Sequence, residues 1–140
     1  MINLLRVLAG VAAGVAVVFA MVIAVEIYSD KVHPLPPDSE HSMEVMCAHV
    51  AAYPPWVLAT VVPMWGLTAF AGTWVAGIIG RFIPSVAVGL LVLVALGFNL
   101  SMLPYVTWFK VVMPVGALAG LVLGTMLGCG LRFSWKEHMA

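Results

Sequence analysis

The sequence predicts an all-α protein: an integral membrane four-helix bundle with one external amphipathic helix between the first and second spans. Three observations support this prediction. Of the 140 residues, 64% are hydrophobic and only 9% are charged, whereas a soluble domain carries roughly 25% charged residues. Four stretches reach the length of about 20 mostly apolar residues that crosses a hydrocarbon core. Prolines fall mainly at the ends of these stretches, where helices tolerate them.

The four expected spans form one membrane domain over residues 1–140. The first resembles a secretion signal, but its apolar run is long and no small-residue cleavage motif follows, so we interpret it as a retained span. Pro63 lies inside the second span and predicts a kink, while Pro84 and Pro114 are expected to open the third and fourth spans. The spans run from Val7 to Tyr28, from Pro54 to Gly80, from Ile83 to Leu103 and from Val111 to Leu131.

The external loop of residues 29–53 is expected to hold a short helix. Its proline-rich beginning predicts extended chain, after which Asp38 or Ser39 is expected to cap a helix that ends at Ala51. Apolar residues recur there at three- and four-residue spacing, which favours a helix lying along the outer membrane surface. These residues are Met43, Met46, Cys47 and Val50.

Lysine and arginine are distributed unequally between the two sides. One side holds Arg6, Arg81, Arg132 and Lys136, and the other holds Lys31 and Lys110. The positive-inside rule therefore predicts that both termini are cytoplasmic, and the expected location is a bacterial inner membrane. Cys47 and Cys129 then lie on opposite sides of the bilayer, so no internal disulfide is expected.

Several functional classes find no support. Net charge is zero and no cluster of basic residues exists, so nucleic acid is not an expected partner. No nucleophile with its base, phosphate loop or dinucleotide motif is present, so we expect no enzymatic activity. The sequence leaves open whether a cofactor is bound. The expected partners are the lipid bilayer and other membrane helices.

The most specific pattern is a glycine at every fourth position of the last span. Such a stripe lets another helix approach to backbone contact, and close packing drives helix association in lipid. The partner can be a helix of the same bundle or of a second subunit, and the pattern leaves both open. The stripe consists of Gly116, Gly120, Gly124 and Gly128, and other candidate packing positions are Gly10, Gly14, Gly66 and Gly77.

Glu26 is the one charged residue inside the expected spans. At about 1.5 Å per residue it lies about 28 Å along the first helix from Val7, close to the outer surface. It can serve a structural role, paired with Lys31 or a hydroxyl, or it can form a proton, cation or ligand site. In the second case Thr60, Asn99 and the loop histidine His33 are candidates for the same outward-facing pocket.

The loop also contains weak candidates for metal ligands. His41 and Glu44 are expected to share a helical face, but His49 lies two turns away, about 12 Å along the axis. Taken together, these features favour a small multi-pass protein that acts through glycine-mediated helix contacts, as a homo-oligomer or as an accessory subunit of a larger membrane complex. The alternatives are a small proton- or cation-coupled transporter or channel that uses Glu26, and an external binder of a metal or small ligand.

Overall fold

The computed structural model describes the backbone of residues 2–138 and the side chains of residues 3–130. Five helices follow one another: α1 (Ile2–Val32), α2 (Met43–Ala51), α3 (Pro55–Gly80), α4 (Phe82–Met102) and α5 (Thr107–His138). Over the described residues, α1, α3, α4 and α5 are each long and apolar enough to cross a membrane. The expectation of an all-helical chain with four such helices is confirmed. Arg132 and Lys136, which contribute to the charge bias, lie outside the described side chains.

Two helices extend beyond the predicted spans. α1 covers Ile2–Val32 rather than residues 7–28, and α5 begins at Thr107 rather than at Val111. The prediction that Pro114 opens the last helix is therefore wrong, because Pro114 lies inside α5. A charged residue such as Lys110 does not have to end a helix, because its long side chain can reach water while its backbone continues the helix. Pro54 and Pro55 do open α3, as N-cap and first helical residue.

α3 is the central helix. Both α1 and α5 pack against α3, but within the described part of the chain no Cα atom of α1 lies within 8 Å of a Cα atom of α5. α4 packs against all three of these helices. The two ends of the bundle differ in their connections. We call the end that holds α2 and the α4–α5 connection the α2 end, and the end that holds the α3–α4 corner and the start of α1 the Arg81 end.

Large side chains fill the core toward the α2 end. Here α1, α3, α4 and α5 contribute a continuous cluster, with Phe109 and Leu96 each only 1% exposed. The other members are Val25, Val57, Leu58, Val61, Ala69, Val92, Leu100, Met113 and Ala117.

Glycines let the helices pack with direct backbone contact from the middle of the bundle toward the Arg81 end. A β-carbon on Gly128 would lie 2.6 Å from the carbonyl oxygen of Trp74, and one on Gly14 would lie 2.8 Å from that of Gly72. Contacts this short leave no room for a side chain. The α5 stripe thus packs against α3 of the same chain, so it does not favour a subunit interface.

A buried hydroxyl network also joins three helices in this half. Ser85 of α4 donates to the carbonyl oxygen of Thr73 in α3 at 2.8 Å, and its Oγ lies 2.8 Å from Oγ1 of Thr125 in α5. Thr73 in turn donates to Ala69 O at 2.7 Å. Each buried hydroxyl therefore has an acceptor, which removes most of the cost of burying it.

A single residue connects α3 to α4. Arg81 ends α3 and precedes α4 with φ 74° and ψ −149°, a backbone region that is populated almost entirely by glycine. This unusual backbone conformation reverses the chain direction within one residue, so that α3 and α4 are antiparallel. It also fixes the start of the Arg81 side chain beside the end of α3.

The short helix begins later than predicted. Ser42, rather than Asp38 or Ser39, is its N-cap, and its Oγ accepts from the backbone N–H of Val45 at 3.3 Å. Ser39 instead closes a turn by donating from its hydroxyl to Pro36 O at 2.7 Å. His41 consequently precedes α2 and does not share a helical face with Glu44. Among the described residues, no Cα atom of α2 lies within 8 Å of a Cα atom of another helix, so the α2 backbone is not packed directly against the bundle.

Candidate binding site beneath α2

A cavity of about 390 Å³ separates α2 from the end of the helix bundle. Met43, Met46 and Val50 of α2 line one side, and residues from α1, α3, α4 and α5 line the other. Its polar groups come from Glu26, Ser29, His49, Asn99 and two tyrosines, Tyr53 and Tyr105. The cavity exists because α2 is held above the bundle rather than packed into it.

A second cavity of about 500 Å³ runs along the side of the bundle between α1, α3 and α4. Its walls are almost entirely aliphatic and aromatic, so it can accept a hydrocarbon chain. Apart from the residues shared with the first cavity, it is lined by Val15, Val18, Phe19, Val22, Val88, Leu91, Val92 and Ala95.

Glu26, Trp65 and Asn99 line both cavities. The predicted neighbourhood of Glu26 and Asn99 is therefore present. A carboxylate and an amide stand where a polar space beneath α2 meets an apolar groove on the side of the bundle. This arrangement suits a molecule with a polar head and a hydrocarbon tail.

The first cavity has a negative electrostatic character. None of the residues that line it is lysine or arginine, and Glu26 is the only charged residue among them. Burial raises the pKa of Tyr105 to about 12, with contributions from Tyr53 and the Glu26 carboxylate. The pKa of Tyr53 is also raised, mainly by burial. A hydrogen bond from Ser29 lowers it, whereas the carboxylates of Glu26 and Asp30 raise it further. Both phenols are thus neutral near pH 7 and can donate hydrogen bonds.

Glu26 has no ion-pair or hydrogen-bond partner among the described residues, so the expected pair with Lys31 is not formed. Five residues apart on an α-helix, the two side chains point about 140° away from each other. The carboxylate is exposed and lines the cavities. It is therefore available to a ligand.

Thr60 lies apart from this pair. Its hydroxyl is 2.8 Å from the hydroxyl oxygen of Tyr28, and it also donates to the carbonyl oxygen of Val57 at 2.8 Å. Thr60 lines neither of the two cavities. It links α3 to α1 through Tyr28, so the predicted pocket holds Glu26 and Asn99 without Thr60.

His33 joins His49 and Tyr53 instead of Glu26. The His33 and His49 rings stack with centroids 4.4 Å apart, and Tyr53 lies 4.7 Å from His33 and 5.4 Å from His49. Burial and the neighbouring His33 hold the pKa of His49 below its ordinary value. Nε2 of His33 is buried without a hydrogen-bond partner in the described part of the chain. The three rings fasten the loop to the top of the cavity.

The weak metal candidates do not converge. Across residues 3–130, no group of three or more His, Cys, Asp or Glu side chains could hold a metal ion. His49 stacks on His33, whereas His41 lies in the segment before α2 and Glu44 in its first turn.

The two tyrosines and Trp65 were not predicted to line a site. Tyrosine and tryptophan near the ends of spans are common at membrane surfaces in any case, so their positions alone do not indicate a site. One signal was available, because each tyrosine is next to a proline at the end of a span, Pro54 and Pro104. Proline fixes the local backbone and here holds both rings at the α2 end.

In comparisons with known proteins, no family model, no curated protein and no solved structure matches this chain.

Proposed function

We propose that the chain is an integral membrane protein with four spans that binds a cationic amphiphile at its α2 end. The observation that supports this function is the position of Glu26, with Asn99, where the polar cavity meets the apolar groove. A cationic head would interact with Glu26 and Asn99, and its tail would lie in the groove between α1 and α4.

The charge and the rings of the cavity favour a cation over an anion. Glu26 attracts a positive head, and no lining residue offers a positive charge to a negative one. Trp65, Tyr53 and Tyr105 add aromatic faces, and such faces attract ammonium groups by about 0.5–2 kcal/mol each. The carboxylate would repel an anionic head, and no positively charged side chain in the lining would offset that repulsion.

The proposed orientation places both termini and the Arg81 end in the cytoplasm. Arg6 and Arg81 lie at that end, in agreement with the positive-inside rule. The α2 end then faces the outside, and the amphiphile would enter from the outer leaflet or the external solution. A bacterial inner membrane is the proposed location.

The protein would bind this ligand by itself, as a homo-oligomer, or as an accessory subunit of a larger membrane complex. The close glycine contacts join helices of the same chain, so they do not require a partner subunit. The mass and composition of the complex after gentle detergent extraction distinguish these arrangements.

The test is binding of a fluorescent alkyltrimethylammonium to the purified protein in lipid nanodiscs, compared with neutral and anionic probes of the same chain length. The expected result is saturable binding of the cation alone. Glu26→Gln should weaken it by at least about tenfold, because a charge-assisted contact contributes about 1.5–3 kcal/mol and about 1.4 kcal/mol corresponds to a factor of ten. Glu44→Gln, the same change on α2 outside the lining of the cavity, should leave it unchanged.

Two results would contradict the proposal. Equal binding of the cationic and anionic probes would show that the groove binds tails without regard to the head. An unchanged affinity of Glu26→Gln for the cationic probe would show that the carboxylate does not contribute to binding.

A further inference from the structure

A third cavity, of about 600 Å³, lies at the Arg81 end. It brings together Asn3 and Arg6 of α1, Arg81 of the α3–α4 corner, Phe82 and Ile83 of α4, and Cys129 of α5. It shares no lining residue with the two cavities at the α2 end. Its chemistry is therefore separate from that of the Glu26 site.

Close backbone packing brings the two arginines to the same cavity. A β-carbon on Gly80 would lie 2.9 Å from the carbonyl oxygen of Arg6, and one on Gly10 would lie 3.0 Å from that of Ala76. α1 therefore contacts the last turn of α3 directly, one residue before Arg81. Both guanidinium groups line the same cavity, and a bound anion would interact favourably with each of these positive charges.

No carboxylate among the described side chains neutralises this end. The described acidic residues belong to the C-terminal part of α1, the following loop or α2, at the other end of the bundle: Glu26, Asp30, Asp38, Glu40 and Glu44. Glu137 lies outside the described side chains. The N-terminus of α4, which carries the positive end of a helix dipole, has no side-chain cap. All of these charges favour an anionic ligand.

Arg81 stands where glycine would be unstrained. Its φ of 74° is the only positive φ of a non-glycine residue in the described chain. Strain of this kind costs about 1–3 kcal/mol and is common at functional sites. A guanidinium at this position supplies a fork of donors that matches two phosphate oxygens.

The cavity also has apolar walls that point to a lipid. Phe82 is 64% exposed and Ile83 is 68% exposed, and both lie next to Arg81. We propose that Arg6 and Arg81 bind a phosphate group at the Arg81 end, and that this phosphate is the headgroup of an anionic phospholipid whose chains lie along Phe82 and Ile83. Anionic lipids are enriched in the cytoplasmic leaflet, which agrees with the proposed orientation.

The test is native mass spectrometry of the detergent-purified full chain with added phosphatidylglycerol, phosphatidylcholine of the same acyl chains, or inorganic phosphate. We expect phosphatidylglycerol to form a stoichiometric adduct and phosphatidylcholine to bind at least about tenfold more weakly. Arg6→Gln and Arg81→Gly should each weaken the phosphatidylglycerol adduct by about tenfold. Arg81→Gly removes the guanidinium and also relieves the backbone strain, so misfolding does not explain its loss of binding. Lys110→Gln removes a cation at the α2 end and should leave the adduct unchanged.

A third result is that inorganic phosphate binds, that this binding is lost in both arginine variants, and that phosphatidylglycerol shows no preference over phosphatidylcholine. The phosphate site would then be supported, but its ligand would be a soluble phosphate and not a lipid. Equal adducts with both lipids, or a phosphatidylglycerol adduct unchanged in both arginine variants, would overturn the proposal. These outcomes are independent of the cationic probe used for the Glu26 site.

Discussion

The carbonyl oxygen of Gly66 lies where a β-carbon on Gly120 would have to stand. This contact between α3 and α5 has a counterpart on another side of α3, where Gly14 of α1 meets the carbonyl oxygen of Gly72. α3 is thus held by direct backbone contacts with α5 near its middle and with α1 farther toward the Arg81 end. The cavity beneath α2 lies at the opposite end of the bundle, and the second cavity meets it at Glu26 and extends along α1 and α4 to Val15 and Val88. The direct backbone contacts and the cavity beneath α2 therefore lie at different levels of the bundle.

Gly120→Ala should lower the free energy of unfolding. The added methyl group meets the Gly66 carbonyl and must push α3 and α5 apart, and overpacking of this kind costs typically about 1–3 kcal/mol. Gly97→Ala in α4 is the matched control, because nothing lies within 4 Å of its β-carbon position. That change should instead add up to about 1 kcal/mol through helix propensity. Unfolding in mixed detergent micelles measures the stability of both variants. Equal stability of Gly120→Ala and Gly97→Ala would contradict the observed packing.

The four long apolar helices could be predicted from the sequence for a physical reason. The length of an apolar stretch and the placement of glycine at every fourth position are properties of one segment of sequence, and they do not depend on how the helices are arranged in the bundle. Which helix covers the stripe of Gly116 to Gly128 depends on long-range packing, and the sequence left it open. The same limit applies to the site: depth along α1 and α4 placed Glu26 near Asn99, whereas the pairing of Thr60 with Tyr28 depends on how α1 and α3 rotate.

The hydroxyl network should show a measurable energetic coupling. Ser85→Ala removes the partner of Thr125 and leaves its hydroxyl buried, so we expect a loss of about 1 kcal/mol. After Thr125→Val the same serine change should cost less, because the hydrogen bond between the two is already absent. Ser101→Ala, which breaks only an exposed bond to Phe98 of the same helix, is the control. Strict additivity of the two buried substitutions would mean that the hydroxyls do not interact.

Arg81→Gly should stabilise the chain. Relief of the strained backbone contributes about 1–3 kcal/mol, and the greater freedom of glycine in the unfolded chain offsets about 0.5–1 kcal/mol of this, for a net gain of about 1 kcal/mol. Arg81→Ala removes the same charge but keeps a β-carbon, so it should show no such gain. Unfolding of both variants in the absence of added lipid separates strain from charge. A similar stability for glycine and alanine would indicate that the corner is not strained.

The two cysteines test the proposed orientation. Cys47 lies on α2, and Cys129 lines the cavity at the Arg81 end; both are partly exposed and free. If both termini are cytoplasmic, a membrane-impermeant maleimide added to intact cells should label Cys47 and not Cys129. Permeabilised cells, in which both sides are accessible, provide the control. Labelling of Cys129 alone in intact cells would reverse the orientation.

The attachment of α2 should weaken on acidification through His49. Its pKa is lowered in the folded chain by burial first and by the adjacent His33 second, while Asp30 acts in the opposite direction. The unfolded loop therefore takes up a proton at a higher pH than the folded loop does. Stability from the neutral ring is present above the ordinary histidine pKa of about 6.5 and is lost as pH falls through the lower folded value. Hydrogen exchange of the α2 amides should consequently show faster opening below pH about 6, after correction for the intrinsic exchange rate. His49→Gln should reduce this pH dependence, whereas His41→Gln, in the exposed segment before α2, should retain it. If α2 opens with the same pH dependence in His49→Gln as in the unmodified chain, the stacked histidine does not control its attachment.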